Sequence, residues 1–171
     1  MASTSAIVRP LNEIRRSSIL YTTYSSYICI RRKIYLQYDD KMVNIRFLLS
    51  STSIDFIILN KANQSIKIDW NDVTIVQLGT TCRAVHNGVK LTNRNETQPP
   101  STIPSNATLD DGVTPADNIN WSSPSTYYAG GWQTSPLLIG GEIRLYLPIQ
   151  YQNKTIEYNI TFNKITNVTK P

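Results

Sequence analysis

This sequence predicts an all-β chain built as an antiparallel two-sheet sandwich, and three observations predict it. Ser53 to Asp72, SIDFIILNKANQSIKIDWND, holds two alternating runs around one turn. Ile54, Phe56 and Ile58 share one face, and after the polar corner Asn60-Lys61-Ala62-Asn63-Gln64 the residues Ile66, Ile68 and Trp70 repeat the period of two. The composition has seven glycines, ten tyrosines and many β-branched residues, with Ser, Thr and Asn abundant and no long Ala, Leu, Glu or Lys run. That mixture suits pleated strands and polar turns better than helices. Finally, 171 residues can bury a core without disulfides, so a single domain with an extension is expected.

The elements follow in order. Ile34 to Tyr38 and Met42 to Leu49 read as strands joined at Asp39-Asp40, with Val43, Ile45 and Phe47 on one face. Ser53 to Leu59, Ser65 to Trp70, Val73 to Leu78 and Arg83 to Val89 come next, the last carrying an Asn87-Gly88 turn signal. Thr92 to Ser135 is polar and punctuated by Gln98-Pro99-Pro100 and Ile103-Pro104, so it reads as a structured loop region rather than strand. Glu142 to Gln150 and Thr155 to Asn163 alternate around Tyr151-Gln152-Asn153-Lys154 and form a terminal hairpin. About eight strands with short turns make the sandwich immunoglobulin-like.

Residues 1–33 differ from the rest. They are rich in Ser, Thr, Tyr and Arg, carry Glu13 as their only acid and end in Arg31-Arg32-Lys33. They read as an atypical basic leader, disordered or outside the native product, ahead of one domain over residues 34–171. Transit-peptide composition fits them partly, and the apolar approach from Ser17 to Ile30 is broken by Ser and Thr. No run reaches the eighteen apolar residues of a transmembrane helix.

Charge location argues against nucleic acid. The net charge is +5, yet residues 1–46 hold eight Lys or Arg against three acids, and residues 47–171 hold nine against nine. A neutral sandwich has no field for phosphates, and no zinc-finger or RRM signature replaces it.

Candidate chemistry is sparse. His86 is the single histidine, which excludes a two-histidine metal site or a histidine-based triad beyond one base; in Val85-His86-Asn87-Gly88 it reads as a strand end with a local hydrogen bond. Asp110, Asp111 and Asp117 lack any calcium-loop spacing and read as solvated turn acids. Cys29 and Cys82 lack zinc spacing; Cys82 reads as a small buried hydrophobe, and a pairing of the two stays open. No catalytic residue, metal ligand or cofactor is assigned. The candidate ligand-binding residues are Trp121, Tyr127, Tyr128 and Trp132, whose rings on a loop suit a protein partner or a sugar; capping of the sandwich by Trp132 is the structural alternative. Sequons at Asn63, Asn95, Asn106, Asn120, Asn153, Asn159 and Asn167 allow glycosylation on a eukaryotic secretory route, and an Asn-, Ser- and Thr-rich chain generates several by chance.

Tyr38-Asp39-Asp40, Phe56 through Asn60-Lys61, Ser65 through Trp70 and His86 through Lys90 form an ordered pattern. It continues in Gln98 through Pro104, Pro115-Ala116-Asp117-Asn118, Gly131-Trp132 and Leu147-Pro148-Ile149. Over residues 35–163 this pattern resembles small uncharacterised bacterial secreted proteins and lipoproteins with an immunoglobulin-like domain. The resemblance implies that fold and an extracytoplasmic place, with no activity to transfer. It also implies a signal peptide ending at a lipidated cysteine, from which Ser26-Tyr27-Ile28 before Cys29 departs. The expected function is a non-enzymatic binding or structural module of a cell envelope that engages a protein, with carbohydrate binding through the loop aromatics as the alternative. A carboxylate hydrolase would require two of Asp110, Asp111 and Asp117 to face each other across a cleft.

Overall fold

The computed structural model describes residues 26–30, 33–137 and 142–162. The strands are β1 Ser26–Ile30, β2 Lys33–Asp39, β3 Val43–Leu49, β4 Ile54–Asn60, β5 Ile66–Ile68, β6 Thr74–Gln77 and β7 Thr80–His86. They continue as β8 Ser101–Ile103, β9 Thr108–Pro115, β10 Ile119–Ser122, β11 Gly131–Thr134, β12 Ile143–Tyr151 and β13 Lys154–Phe162. Two short 3-10 turns, Leu91–Asn93 and Ala116–Asn118, are the only helical pieces among the described residues. The chain is all-β with every ladder antiparallel. Residues 1–25 and 31–32 of the expected leader, and the sequon at Asn167, lie outside the described residues.

Hydrogen-bonded order runs β1-β2-β3-β4-β9-β7-β6-β12-β5-β8, with β13 on the other side of β12. Strand β7 changes partner along its length: Thr80 to Arg83 pair with β6, and Ala84 to His86 pair with β9. Residues from both halves of this order then meet in one cluster. Val43, Ile45 and Phe47 of β3 and Ile54, Phe56 and Ile58 of β4 bury with Ile66, Ile68, Ile75, Ile143, Leu145, Leu147 and Ile149 from the other half. Alternation is the cause, because every second side chain of β3 and β4 points to the same side. Rings cross between the halves: Phe47 meets Phe162 edge-on at 5.5 Å, and Phe56 stacks on Trp70 at 6.3 Å.

The corner after β4 is held by a buried amide. Asn60 Nδ2 donates to Gln64 O, Ile103 O and Pro104 O, while its Oδ1 accepts from Ala62 N. One buried side chain thereby ties the β4 to β5 turn to the end of β8 through three carbonyls, of which Pro104 O also accepts from Ala107 N. Asp40 acts similarly before β3, its Oδ1 accepting from Met42 N and Val43 N, and its Oδ2 from the hydroxyls of Tyr38 and Tyr158. Two hairpins close through two-residue turns with positive φ at both positions, Leu78-Gly79 and Gln152-Asn153, a geometry that matches strand twist.

The expected strands from Ile34 to Trp70 and the terminal hairpin are present within a few residues. The region Thr92 to Ser135 differs, since it contains β8, β9, β10 and β11. Strand β9 is central, paired on one side with β4 and on the other with β7. Its Asp110-Asp111-Gly112 and Pro115 are turn formers by local preference, and the ladders of both neighbours override that preference.

Candidate functional site

Strands β10 and β11 form a separate two-stranded ribbon, with Ile119 opposite Thr134, Asn120 opposite Gln133, Trp121 opposite Trp132 and Ser122 opposite Gly131. This ribbon carries all four aromatic candidates. Its connection folds back on itself, because Ser125 N donates to Tyr128 O at 2.7 Å and Tyr128 N returns a bond to Ser125 O. Gly130 sits at φ +78°, and a Cβ there would lie 2.8 Å from Pro124 N, so only glycine lets the return strand pass this close.

The four rings divide into two roles. Trp132 is partly buried and packs, with Val89 and Leu91, on a small cluster of Val85, Ala116 and Ile119. Its face receives the Arg94 guanidinium, 4.7 Å from the ring centre, a cation–π contact. Trp132 therefore packs the ribbon onto this small cluster. Trp121 is 55% exposed and meets Trp132 at 5.7 Å with planes 68° apart. Tyr127 at the tip is 98% exposed, and Tyr128 is held through its hydroxyl by Gln133 Nε2 at 2.8 Å. Trp121 and Trp132 are not coplanar, so they form no flat platform of the kind a sugar face prefers. What the arrangement offers is an edge with Trp121 and Tyr127 exposed and Trp121 resting edge-on against Trp132.

Arg94 and Gln133 belong to this site, and no local pattern around either residue signals it. Arg94 lies 38 positions before Trp132 in the chain and reaches it only because the turn after Leu91–Asn93 ends beside the ribbon.

A second group lies where β7, β9 and the end of β5 come together. His86 stacks on Trp70 with centroids 4.6 Å apart and planes 10° apart, and its Nδ1 lies 3.1 Å from Asp111 Oδ2. Both side chains are nearly buried, at 11% and 10% exposure, and His86 Nε2 makes no hydrogen bond among the described residues. Asp111 Oδ1 accepts from Asn87 N and Gly112 N. Gln98 joins this seam, donating to Ala84 O and accepting from His86 N. Asp111 is thus a structural acceptor within β9 rather than a solvated turn acid, because two backbone amides and an imidazole surround it.

The remaining candidates are apart. Asp110 neighbours Asp111 on one strand and so projects to the opposite side. Asp117 Oδ2 accepts from Cys82 Sγ at 3.1 Å, and Cys82 is a buried free thiol. Burial, and then the Asp117 carboxylate, push that thiol up from 9.0 to about 11. Among the described residues no three His, Cys, Asp or Glu side chains converge as a metal site would require, and no helix is long and apolar enough to cross a membrane. No protein-family model matches this chain, and a search of curated proteins finds no match.

Proposed function

We propose that this chain is a two-sheet, immunoglobulin-like β-sandwich that works outside the cytoplasm as a non-enzymatic module of a cell envelope and binds a protein partner through the β10–β11 ribbon. The observation that carries this reading is the pairing of free and packed aromatics: Trp121 and Tyr127 are exposed, while Trp132 packs on the Val85–Ala116–Ile119 cluster under Arg94. Trp, Tyr and Arg are the residues that concentrate binding energy at protein interfaces, and a rigid presentation lowers the ordering cost of binding. The partition of the four candidate residues follows: Trp121 and Tyr127 touch the partner, Tyr128 positions the tip, and Trp132 supports it.

Carbohydrate binding is the alternative, favoured by the same two exposed rings and disfavoured by the 68° angle between Trp121 and Trp132. One experiment separates the readings. Envelope proteins are passed over the immobilised full chain and over its Trp121→Ala/Tyr127→Ala variant, and tryptophan emission is followed during titration with a panel of oligosaccharides. A protein retained by the wild type and lost by the variant, with no response to sugars, supports the proposal. A sugar-dependent change in emission that the variant lacks supports the alternative, and equal retention by both chains contradicts the role of the ribbon.

A further inference from the structure

Asn87-Gly88 follows β7 at its seam with β9. Val89 N donates to His86 O at 3.1 Å, so Asn87 and Gly88 are the central pair of a tight turn. Neither residue has a positive φ, which makes this turn unlike the hairpin turns elsewhere in the chain. Both residues are exposed. Gly88 N lies a long 3.4 Å from His86 Nδ1, a nitrogen already turned to Asp111 Oδ2 at 3.1 Å, and the Asn87 side-chain amide makes no hydrogen bond to the described residues. A Cβ on Gly88 would lie 2.8 Å from His86 Cε1, and that ring is clamped between Trp70 and Asp111, so position 88 is held as glycine. An exposed asparagine, whose amide rests over Gly112, is therefore followed by a backbone nitrogen with no side chain to shield it.

We infer that Asn87 is a self-modification site, which converts over time to aspartate and isoaspartate. The deprotonated Gly88 nitrogen attacks Asn87 Cγ, forming an N–C bond, while the Cγ–Nδ2 bond breaks and ammonia leaves carrying a proton from solvent. Water then opens the five-membered imide at either carbonyl, giving aspartate or an isoaspartate whose backbone is one methylene longer. No oxidant or enzyme enters the balance. The product acts on the seam because of its neighbours. A Cβ on Gly112 would lie 2.6 Å from Asp55 Oδ1 and 2.7 Å from Asn87 Nδ2, so these two groups close over the same glycine. Asn87 N also donates to Asp111 Oδ1 and Gly112 O. Conversion places a third carboxylate beside Asp55 and Asp111, where His86 already faces Asp111 Oδ2, and like charges brought together repel. In isoaspartate the longer backbone also shifts the turn that Val89 N closes.

The test incubates the folded full chain in mildly alkaline and mildly acid buffer, maps its peptides by mass and assays isoaspartate by enzymatic methyl transfer. The expected result is the mass gain of an amide-to-acid conversion at position 87, faster in alkali, with methyl incorporation that Asn87→Gln abolishes. An unchanged Asn87 in the folded chain, beside conversion in the denatured chain, would overturn the inference by showing that the fold protects it. So would earlier conversion at exposed Asn71 or Asn153. The Asn87→Asp variant reads the consequence on its own: a urea midpoint below wild type at neutral pH, recovering in acid, supports the charge argument, and an unchanged midpoint removes it.

Discussion

The β3–β4 ladder and the β10–β11 ribbon are both antiparallel pairs, yet they are held in opposite ways. In β3 and β4 every second residue is buried and the rings of Phe47 and Phe56 touch across the pair, so side chains packed on the far half of the molecule fix the register. The ribbon spans four residue pairs, buries Ile119 and part of Trp132, and leaves Trp121 and the tip in solvent. A two-stranded ribbon of this length is marginal alone, and it stands because Trp132 lies between Arg94 and the Val85–Ala116–Ile119 cluster. This chain separates stability from display: the long ladders carry the fold, and one anchored ribbon presents aromatic surface.

The first way to break the comparison is in the core. Phe56→Ala, at 2% exposure against Trp70 and Phe47, is expected to lower stability by about 3–5 kcal/mol in urea unfolding. An effect below that of any ribbon substitution would contradict the division of labour. Asn60→Ala comes next, about 2 kcal/mol, because it strips the side-chain donor from Gln64 O and from the buried bond to Ile103 O, while Pro104 O keeps Ala107 N. A midpoint equal to wild type would mean that water replaces this amide.

Trp132→Ala sharpens the boundary between the regions. It is expected to cost about 1–2 kcal/mol globally, since the ring is only partly buried, while amide exchange in β10 and β11 rises far more than in β4. Cys82 tests the seam through pH. Its folded thiol holds the proton more tightly than an unfolded thiol, so the stability it contributes is complete below the ordinary value of 9.0 and is lost as pH rises toward about 11. Cys82→Ala should flatten that part of the urea midpoint against pH. The raised hydroxyls of Tyr146 and Tyr158 continue the decline in both chains. Trp121→Ala should have the smallest effect, about 0.5 kcal/mol, because the exposed ring has the edge-on contact with Trp132 to lose and little burial besides.

How much of this was legible in the sequence depends on what sets each element. Alternation in Val43 to Leu49, Ile54 to Leu59 and Ile143 to Gln150 is a local record of burial, so those strands could be placed from pattern alone. Strand β9 could not, because Asp110-Asp111-Gly112 carries a turn signal and its extended state is imposed by β4 and β7. The aromatic site was legible as a cluster of ring residues. Its internal division was not, because exposure of Trp121 and burial of Trp132 depend on Val85 and Arg94, which are remote in sequence. The same distance hid the pairing of His86 with Asp111, 25 positions apart.

The most direct test of the account is acrylamide quenching of tryptophan emission in the full chain and in its Trp121→Phe variant. Trp70 is fully buried and Trp132 lies beneath Arg94, so most of the quenchable emission belongs to Trp121. The account predicts that Trp121→Phe removes most of that accessible component and leaves shielded emission with an unchanged urea midpoint. Equal quenching of the two proteins would show that the ribbon does not present Trp121 to a partner, and would contradict it.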